Sequence, residues 1–252
     1  MLQFVQENRE GKPTMLLFYV RHGDPTYNPD CLTEKGIEQA NALVERMKKI
    51  NPDEIYASSS NRAIQTAEPT AKALNKEITV LDWCNESYAY RNLGVKQENG
   101  EYFWAFLVKQ TIDLFQTKEI RALGDKWYDH PFFAGRTCKD YCLKTKEAIK
   151  AFIKSHGYEY DEENHAYRAV NPTDKRVALF AHQGFGLVFL SLLLDIPYPQ
   201  MCTHFDMGHT GVTVIEFDGK EGLVIPKVIQ LSNDSHLFKA NLPTDYQNRI
   251  EF

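Results

Sequence analysis

MLLFYVRHGDPTYN, residues 15–28, is the stretch whose reading decides the fold. Met15 to Val20 form an unbroken apolar run, the pattern of a strand buried on both faces, as in a parallel sheet. The residues after it, with Gly23, Asp24, Pro25 and Asn28, and then Pro29 and Asp30, are turn formers. Thr33 fits a helix N-cap with Glu34 in the first turn. Ile37, Ala40, Leu43, Val44, Met47 and Ile50 recur at helical spacing, and Pro52 marks the end. Glu54–Ser58 reads as a second strand. Ser58 to Asn61 offer caps for a helix whose inner stripe is Ala63, Ile64, Ala67, Ala71 and Leu74, and Glu77–Leu81 reads as a third strand. This β-α-β-α-β order predicts an α/β fold: a three-layer α/β/α sandwich with a mostly parallel central sheet.

Further along, the character changes. Residues 84–175 are rich in aromatic and charged side chains, and read as a largely helical, cap-like insertion within a single domain spanning 1–252. Segments 101–119 and 138–155 read as helices, the second with Tyr141, Ala148, Ile149, Phe152 and Ile153 on one face and Gly157 as its stop. The acidic stretch YEYDEENH (158–165) reads as a solvated loop. The α/β pattern then resumes. Arg176–Ala181 is a strand, His182 to Gly184 a turn, and Phe185–Leu194 a deeply buried helix. Gly211–Phe217 and Leu223–Leu231 are the last strand candidates.

Composition sets outer bounds. The chain has 252 residues, 43% hydrophobic and 25% charged, with a net charge of -5. That length suffices for a core without disulfide or metal staples, and the acidic balance argues against a general nucleic-acid binder. The five cysteines, Cys31, Cys84, Cys138, Cys142 and Cys202, match no disulfide framework or zinc spacing, and fit a reducing compartment. Residues 1–14 lack the apolar centre of a signal peptide. The most apolar run, Gly184 to Leu194, is shorter than the roughly 20 residues that cross a bilayer. The expectation is a cytoplasmic protein with no membrane or nucleic-acid partner.

Three groups of residues lie at strand ends or helix starts: Arg21-His22-Gly23, Arg62 and His182. In open α/β sheets ligands bind beyond the carboxyl ends of the strands, so these groups are expected to converge. Two guanidinium forks and an imidazole donor suit a phosphate, and the helix N-terminus near Arg62 adds N–H groups and partial positive charge. His22 is left to attack as a neutral imidazole, forming a phosphohistidine that water then hydrolyses. A proton donor is also needed. Glu86, just after the third strand, stands at the right topological position, with Asp24 as the runner-up. His204 and His209 are candidates to line the pocket. No Walker sequence, dinucleotide fingerprint or H-E-x-x-H spacing occurs.

LLFYVRHGDPTYN followed by LTEKGIEQA resembles the signature of the histidine phosphatase superfamily, also called the phosphoglycerate mutase-like family. SSSNRAIQTA, NESYAY and LFAHQG resemble its second-arginine, acid and second-histidine segments in the same order. The resemblance covers 15–94 and 176–217. It implies that His22 is the phosphorylated nucleophile, that Arg21, Arg62 and His182 bind the phosphoryl group, and that Glu86 is the proton donor. Asn28 joins them as a substrate-binding candidate, and no metal or cofactor is implied. Two departures stand out. Pro25 replaces the Ser or Thr that many members carry, and Gln183 separates the second histidine from its glycine. The patterned segments of true phosphoglycerate mutases are not recognisable. The expected function is therefore a phosphatase acting on a small phosphorylated metabolite, with a mutase or a silent phosphoester binder as alternatives.

Overall fold

In a computed structural model, which describes residues 13–97, 99–219 and 221–244, the opening apolar run lies inside the main sheet. Strand β1 (Thr14–Arg21) pairs in parallel with β4 (Arg176–Ala181), Arg21 opposite Ala181. Beyond β4 come β2 (Glu54–Ser58) and β3 (Ile78–Leu81), both parallel to it. On the other side β5 (Val212–Asp218) runs antiparallel to β1, and β6 (Lys227–Asn233) antiparallel to β5. The spatial order is β6-β5-β1-β4-β2-β3, and β5 alone opposes the shared direction. The carboxyl ends of β1, β4 and β2 therefore lie side by side.

The period-2 geometry of β1 divides its side chains between two cores. Phe18 and Val20 join Leu43 and Met47 of helix α1 (Glu34–Ile50) and Ala67 and Ala71 of α2 (Asn61–Leu74) on one face. Leu17 and Tyr19 face Phe185 and Phe189 of α5 (Gln183–Leu194) on the other. Each such fully buried large side chain contributes about 1.5–3 kcal/mol. Helices α3 (Glu86–Leu93) and α4 (Cys138–Ser155) complete the second layer. Phe152 of α4 meets Tyr56 edge-on at 5.1 Å and Trp83 at 5.9 Å. Among the described residues no helix is long and apolar enough to cross a membrane.

Several local expectations are corrected. In α1 Ile37 is 50% exposed, while Gly36 and Gln39 are buried. The stripe is shifted because the first turn packs on the loop after β1. A Cβ at Gly36 would stand 2.1 Å from the Asp24 carbonyl oxygen, and Gln39 Oε1 accepts from the Asp24 N–H at 2.8 Å. The 101–119 segment is not one helix. Tyr102–Trp104 pairs with Gly94–Lys96 as a hairpin, and Thr117 caps a new helix, Lys118–Leu123, after Lys109–Phe115. The acidic stretch is a hairpin, Tyr158–Asp161 with Ala166–Ala169, anchored by the fully buried Tyr158 against Phe217. The 223–231 segment breaks at Pro226, which has no N–H for a ladder. Leu223–Val224 joins that hairpin and Lys227–Asn233 joins the main sheet. Helix α5 begins at Gln183, two residues before the expected start, with His182 at its N-cap. Residues 1–12, which carry most of the argument against a signal peptide, lie outside the described residues.

Candidate active site

The β1–β4 register brings Arg21, His22 and His182 to one edge. The His22 N–H donates to the Ala181 carbonyl at 2.9 Å, while the Tyr19 hydroxyl donates to the His182 carbonyl at 2.7 Å. Arg62, at the start of α2, and Glu86, at the start of α3, reach the same point. Arg62 spreads its guanidinium over three partners. Nε donates to His22 Nε2 at 3.2 Å, Nη1 to Asp30 Oδ1 at 2.6 Å and Nη2 to Glu86 Oε2 at 3.1 Å. The second Glu86 oxygen accepts from the Gly184 N–H of α5 at 2.8 Å, in the positive field of a helix N-terminus. His182 Nδ1 lies 3.7 Å from Glu86, and its Nε2 meets the Ser58 hydroxyl at 2.7 Å.

The protonation pattern of His22 follows from its partners. Arginine only donates, so His22 Nε2 receives Arg62 Nε–H with its lone pair. The proton sits on Nδ1, which donates to the Gly23 carbonyl at 2.7 Å. Burial first, then His182, Arg21 and Arg62, hold the His22 pKa well below its ordinary value. His182 is held down likewise, by burial, Arg62 and Arg21. His22 thus presents a neutral imidazole with its lone pair among cationic and polar groups. Three buried nitrogens of the cluster lack a hydrogen-bond partner among the described residues: Arg21 Nε, His182 Nδ1 and His209 Nδ1.

The remaining sequence candidates divide. Asp24 divides its carboxylate, Oδ2 accepting from the Thr33 hydroxyl at 2.7 Å and Oδ1 lying 3.6 Å from His209 Nδ1. Asn28 is exposed in the turn between Pro25–Tyr27 and Asp30–Leu32 and takes no part in the hydrogen bonds of the cluster. His204 is exposed. His209 enters the cluster, its Nε2 2.9 Å from Arg21 Nη2. The free N–H groups expected at the α2 N-terminus are partly spoken for, since the Asn61 N–H donates to Asp30 Oδ2 at 2.9 Å. Asp30 is the residue the sequence reading missed. It holds both the helix start and Arg62, and its only sequence signal was its place among turn formers. Tyr27 stacks on Arg62 at 5.2 Å. Trp104 fills the space a side chain at Gly184 would need, 2.3 Å from such a Cβ.

His22, Glu86 and His182 offer ligand atoms within 4.8 Å of one another. Arg62 donates to both His22 and Glu86, so a fixed positive charge opposes a cation there and favours an anion.

The buried histidines also predict how stability responds to acid. His209 and His236 are pushed down to about 3 and about 4, chiefly by burial, then by Arg21 and Arg46 respectively. Each is neutral when folded, whereas the unfolded chain protonates at about pH 6.5. Below that pH the unfolded chain binds more protons, so stability falls as pH falls, by at most about 1.4 kcal/mol per pH unit for each histidine. The urea midpoint is expected to drop between about pH 6.5 and pH 5.5, ahead of most carboxylate protonation, and to drop less steeply in His236→Gln. A flat midpoint over that range would contradict the buried neutral state.

Comparison with known proteins sets this geometry in context. A family model for the histidine phosphatase superfamily (branch 1) matches residues 17–158, a span that holds Arg21, His22, Arg62 and Glu86 and ends before His182. No curated protein matches the chain by sequence. Among solved structures, a mycobacterial glucosyl-3-phosphoglycerate phosphatase is similar at a TM-score of 0.55 and 19% identity, over 87% of this chain and 99% of that one. A mutant phosphoserine phosphatase from Entamoeba histolytica, in complex with phosphoserine, has a TM-score of 0.56 and 20% identity, over 88% and 99%. A putative alpha-ribazole-5'-P phosphatase from Escherichia coli has 0.56 and 19%, over 87% and 97%. At these identities the likeness establishes the three-layer α/β fold.

Proposed function

The chain belongs to the histidine phosphatase superfamily (branch 1), and we propose that it is a phosphatase that hydrolyses a small phosphorylated metabolite in the cytoplasm through a phosphohistidine on His22. The observation that carries this reading is the state of His22: a buried imidazole whose Nδ1 is committed to Gly23 and whose lone pair on Nε2 faces Arg62. The similar solved proteins named as phosphatases of small phosphoesters support it.

The reaction runs in two displacements. The phosphoryl oxygens take hydrogen bonds from Arg21, Arg62 and His182, with Arg62 steadied by Asp30 and Glu86. Arg62 Nε turns from His22 to a phosphoryl oxygen, freeing the lone pair. Nε2 forms a bond to phosphorus as the ester P–O bond breaks, and Glu86, protonated by the phosphomonoester monoanion as it binds, gives that proton to the leaving oxygen. Water then attacks the phosphohistidine, Glu86 takes the water's proton, and the P–N bond breaks to return neutral His22. Negative charge spreads over the equatorial oxygens in both steps, where preplaced donors act most strongly. No metal or cofactor enters this scheme, because the arginines supply the positive charge. The 84–175 segment supplies the wall beside the leaving group, with Trp104 close to Gly184 and so to Glu86.

The test is phosphate release from an aryl phosphate and a panel of phosphorylated metabolites, run in chelator. Steady release, with label from substrate trapped on the protein in an acid-labile, base-stable form, is the expected result. Isomerisation of phosphoglycerate without net phosphate release would replace this reading with a mutase. Phosphoester binding without turnover would replace it with a silent binder.

A further inference from the structure

His209 lies in the loop before β5, 187 positions from His22 in sequence, yet the fold ties the two together. The Thr210 N–H donates to the His22 carbonyl at 3.2 Å, and the Thr210 hydroxyl to the His209 carbonyl at 2.7 Å. Thr210 itself adopts a left-handed backbone, φ 53°, a conformation that costs a β-branched residue and persists only when its surroundings hold it. The imidazole of His209 stands 5.8 Å from that of His22, centroid to centroid.

Its proton can be placed by the same reasoning as that of His22. Arg21 Nη2 has only hydrogens to offer, so the Nε2 of His209, at 2.9 Å, accepts. A neutral imidazole then carries its proton on Nδ1. That N–H is buried and without a hydrogen-bond partner among the described residues. The Asp24 carboxylate approaches it at 3.6 Å through Oδ1, and the other Asp24 oxygen is held by Thr33. An unsatisfied buried donor costs about 1–3 kcal/mol, a cost that a bound acceptor would remove. Burial and the neighbouring Arg21 keep the ring neutral, so the donor is present across the physiological range.

We propose that His209 is a further phosphoryl-binding residue, donating Nδ1–H to a phosphoryl oxygen on the Arg21 flank of His22. It completes a ring of donors in which Arg62 and His182 serve the Glu86 flank. The proposal rests on the reading of this cluster as a phosphoryl site, and it assigns a second role to the loop that Arg21 already grips through the Met207 carbonyl.

Two substitutions separate this role from that of merely holding Arg21. His209→Asn keeps an N–H donor near the place of Nδ1. His209→Gln keeps an acceptor near the place of Nε2 but leaves nothing at Nδ1. Inorganic phosphate is titrated calorimetrically against the wild type, both variants and His209→Ala, with melting curves to confirm folding. Phosphate affinity is expected to fall about tenfold or more in the Ala and Gln variants, the effect of losing a hydrogen bond to a charged group, and to return largely in the Asn variant. Recovery in Gln but not in Asn would overturn the proposal and leave His209 as a support for Arg21. Unchanged affinity in all three would overturn it outright. On the wild type alone, the His209 Nδ1 proton resonance is expected to move downfield on adding phosphate, and its failure to move while phosphate binds would overturn the proposal even if no variant folds. A wild type that binds no phosphate would remove the phosphoryl-site reading itself, and this residue's role with it.

Discussion

His22→Ala is expected to lower kcat/KM for an aryl phosphate by about 10⁴-fold or more, the scale on which removal of a covalent nucleophile acts. The expectation rests on one atom. Nε2 of His22 carries the imidazole lone pair that faces both Arg62 and the space beside Glu86, since His209 spends its own on Arg21. The substitution removes that lone pair while leaving Arg21 held by Met207 and His209, and Arg62 held by Asp30 and Glu86. Phosphate affinity should therefore fall far less than turnover. The check is phosphate release alongside calorimetric phosphate binding on the same variant, with label trapping as a third measure. Turnover within tenfold of wild type, or label still trapped on the variant, would move the nucleophile elsewhere.

Glu86→Gln separates the proton donor from the binding groups. Glutamine keeps an oxygen for the Gly184 N–H and cannot give a proton to a leaving oxygen. The loss should depend on the leaving group. An alkyl phosphate, whose oxygen must be protonated as it departs, is expected to slow by about 10²–10⁴-fold. p-Nitrophenyl phosphate, whose phenolate leaves unaided, should slow far less. Asp24→Asn is the control, because Asp24 is engaged with Thr33 and its loss should slow both substrates alike. An equal loss on both substrates in Glu86→Gln would assign the carboxylate to holding Arg62 and leave the proton to another group.

Much of this was legible in the chain itself. Strands β1 and β4 are continuous apolar runs, and Thr33 caps α1 through the Gly36 N–H at 3.0 Å; both signals are local and survive any rearrangement elsewhere. The errors fell where a non-local contact outweighed a local pattern. Ile37 belongs to the apolar stripe by spacing alone, but the close approach of Gly36 to Asp24 rotates the helix so that Gly36 and Gln39 face inward. Pro226 splits an apolar run because its two halves find partners in different sheets. Asp30 passed as a turn residue because nothing near it in sequence shows that Arg62, 32 positions on, will meet its carboxylate.

By itself the sequence determined that a parallel α/β sheet would form and that Arg21, His22, Arg62 and His182 would stand at its carboxyl edge. Apolar periodicity, caps and turn residues act over a few positions, and strand ends carry whatever follows them. Only the tertiary structure decided which His22 nitrogen carries the lone pair, that Glu86 rather than Asp24 stands against Arg62, and that His209 joins the cluster while His204 does not. Those outcomes depend on hydrogen bonds between residues brought together by sheet register and helix packing, and a neutral imidazole keeps its proton on the nitrogen that does not face a donor.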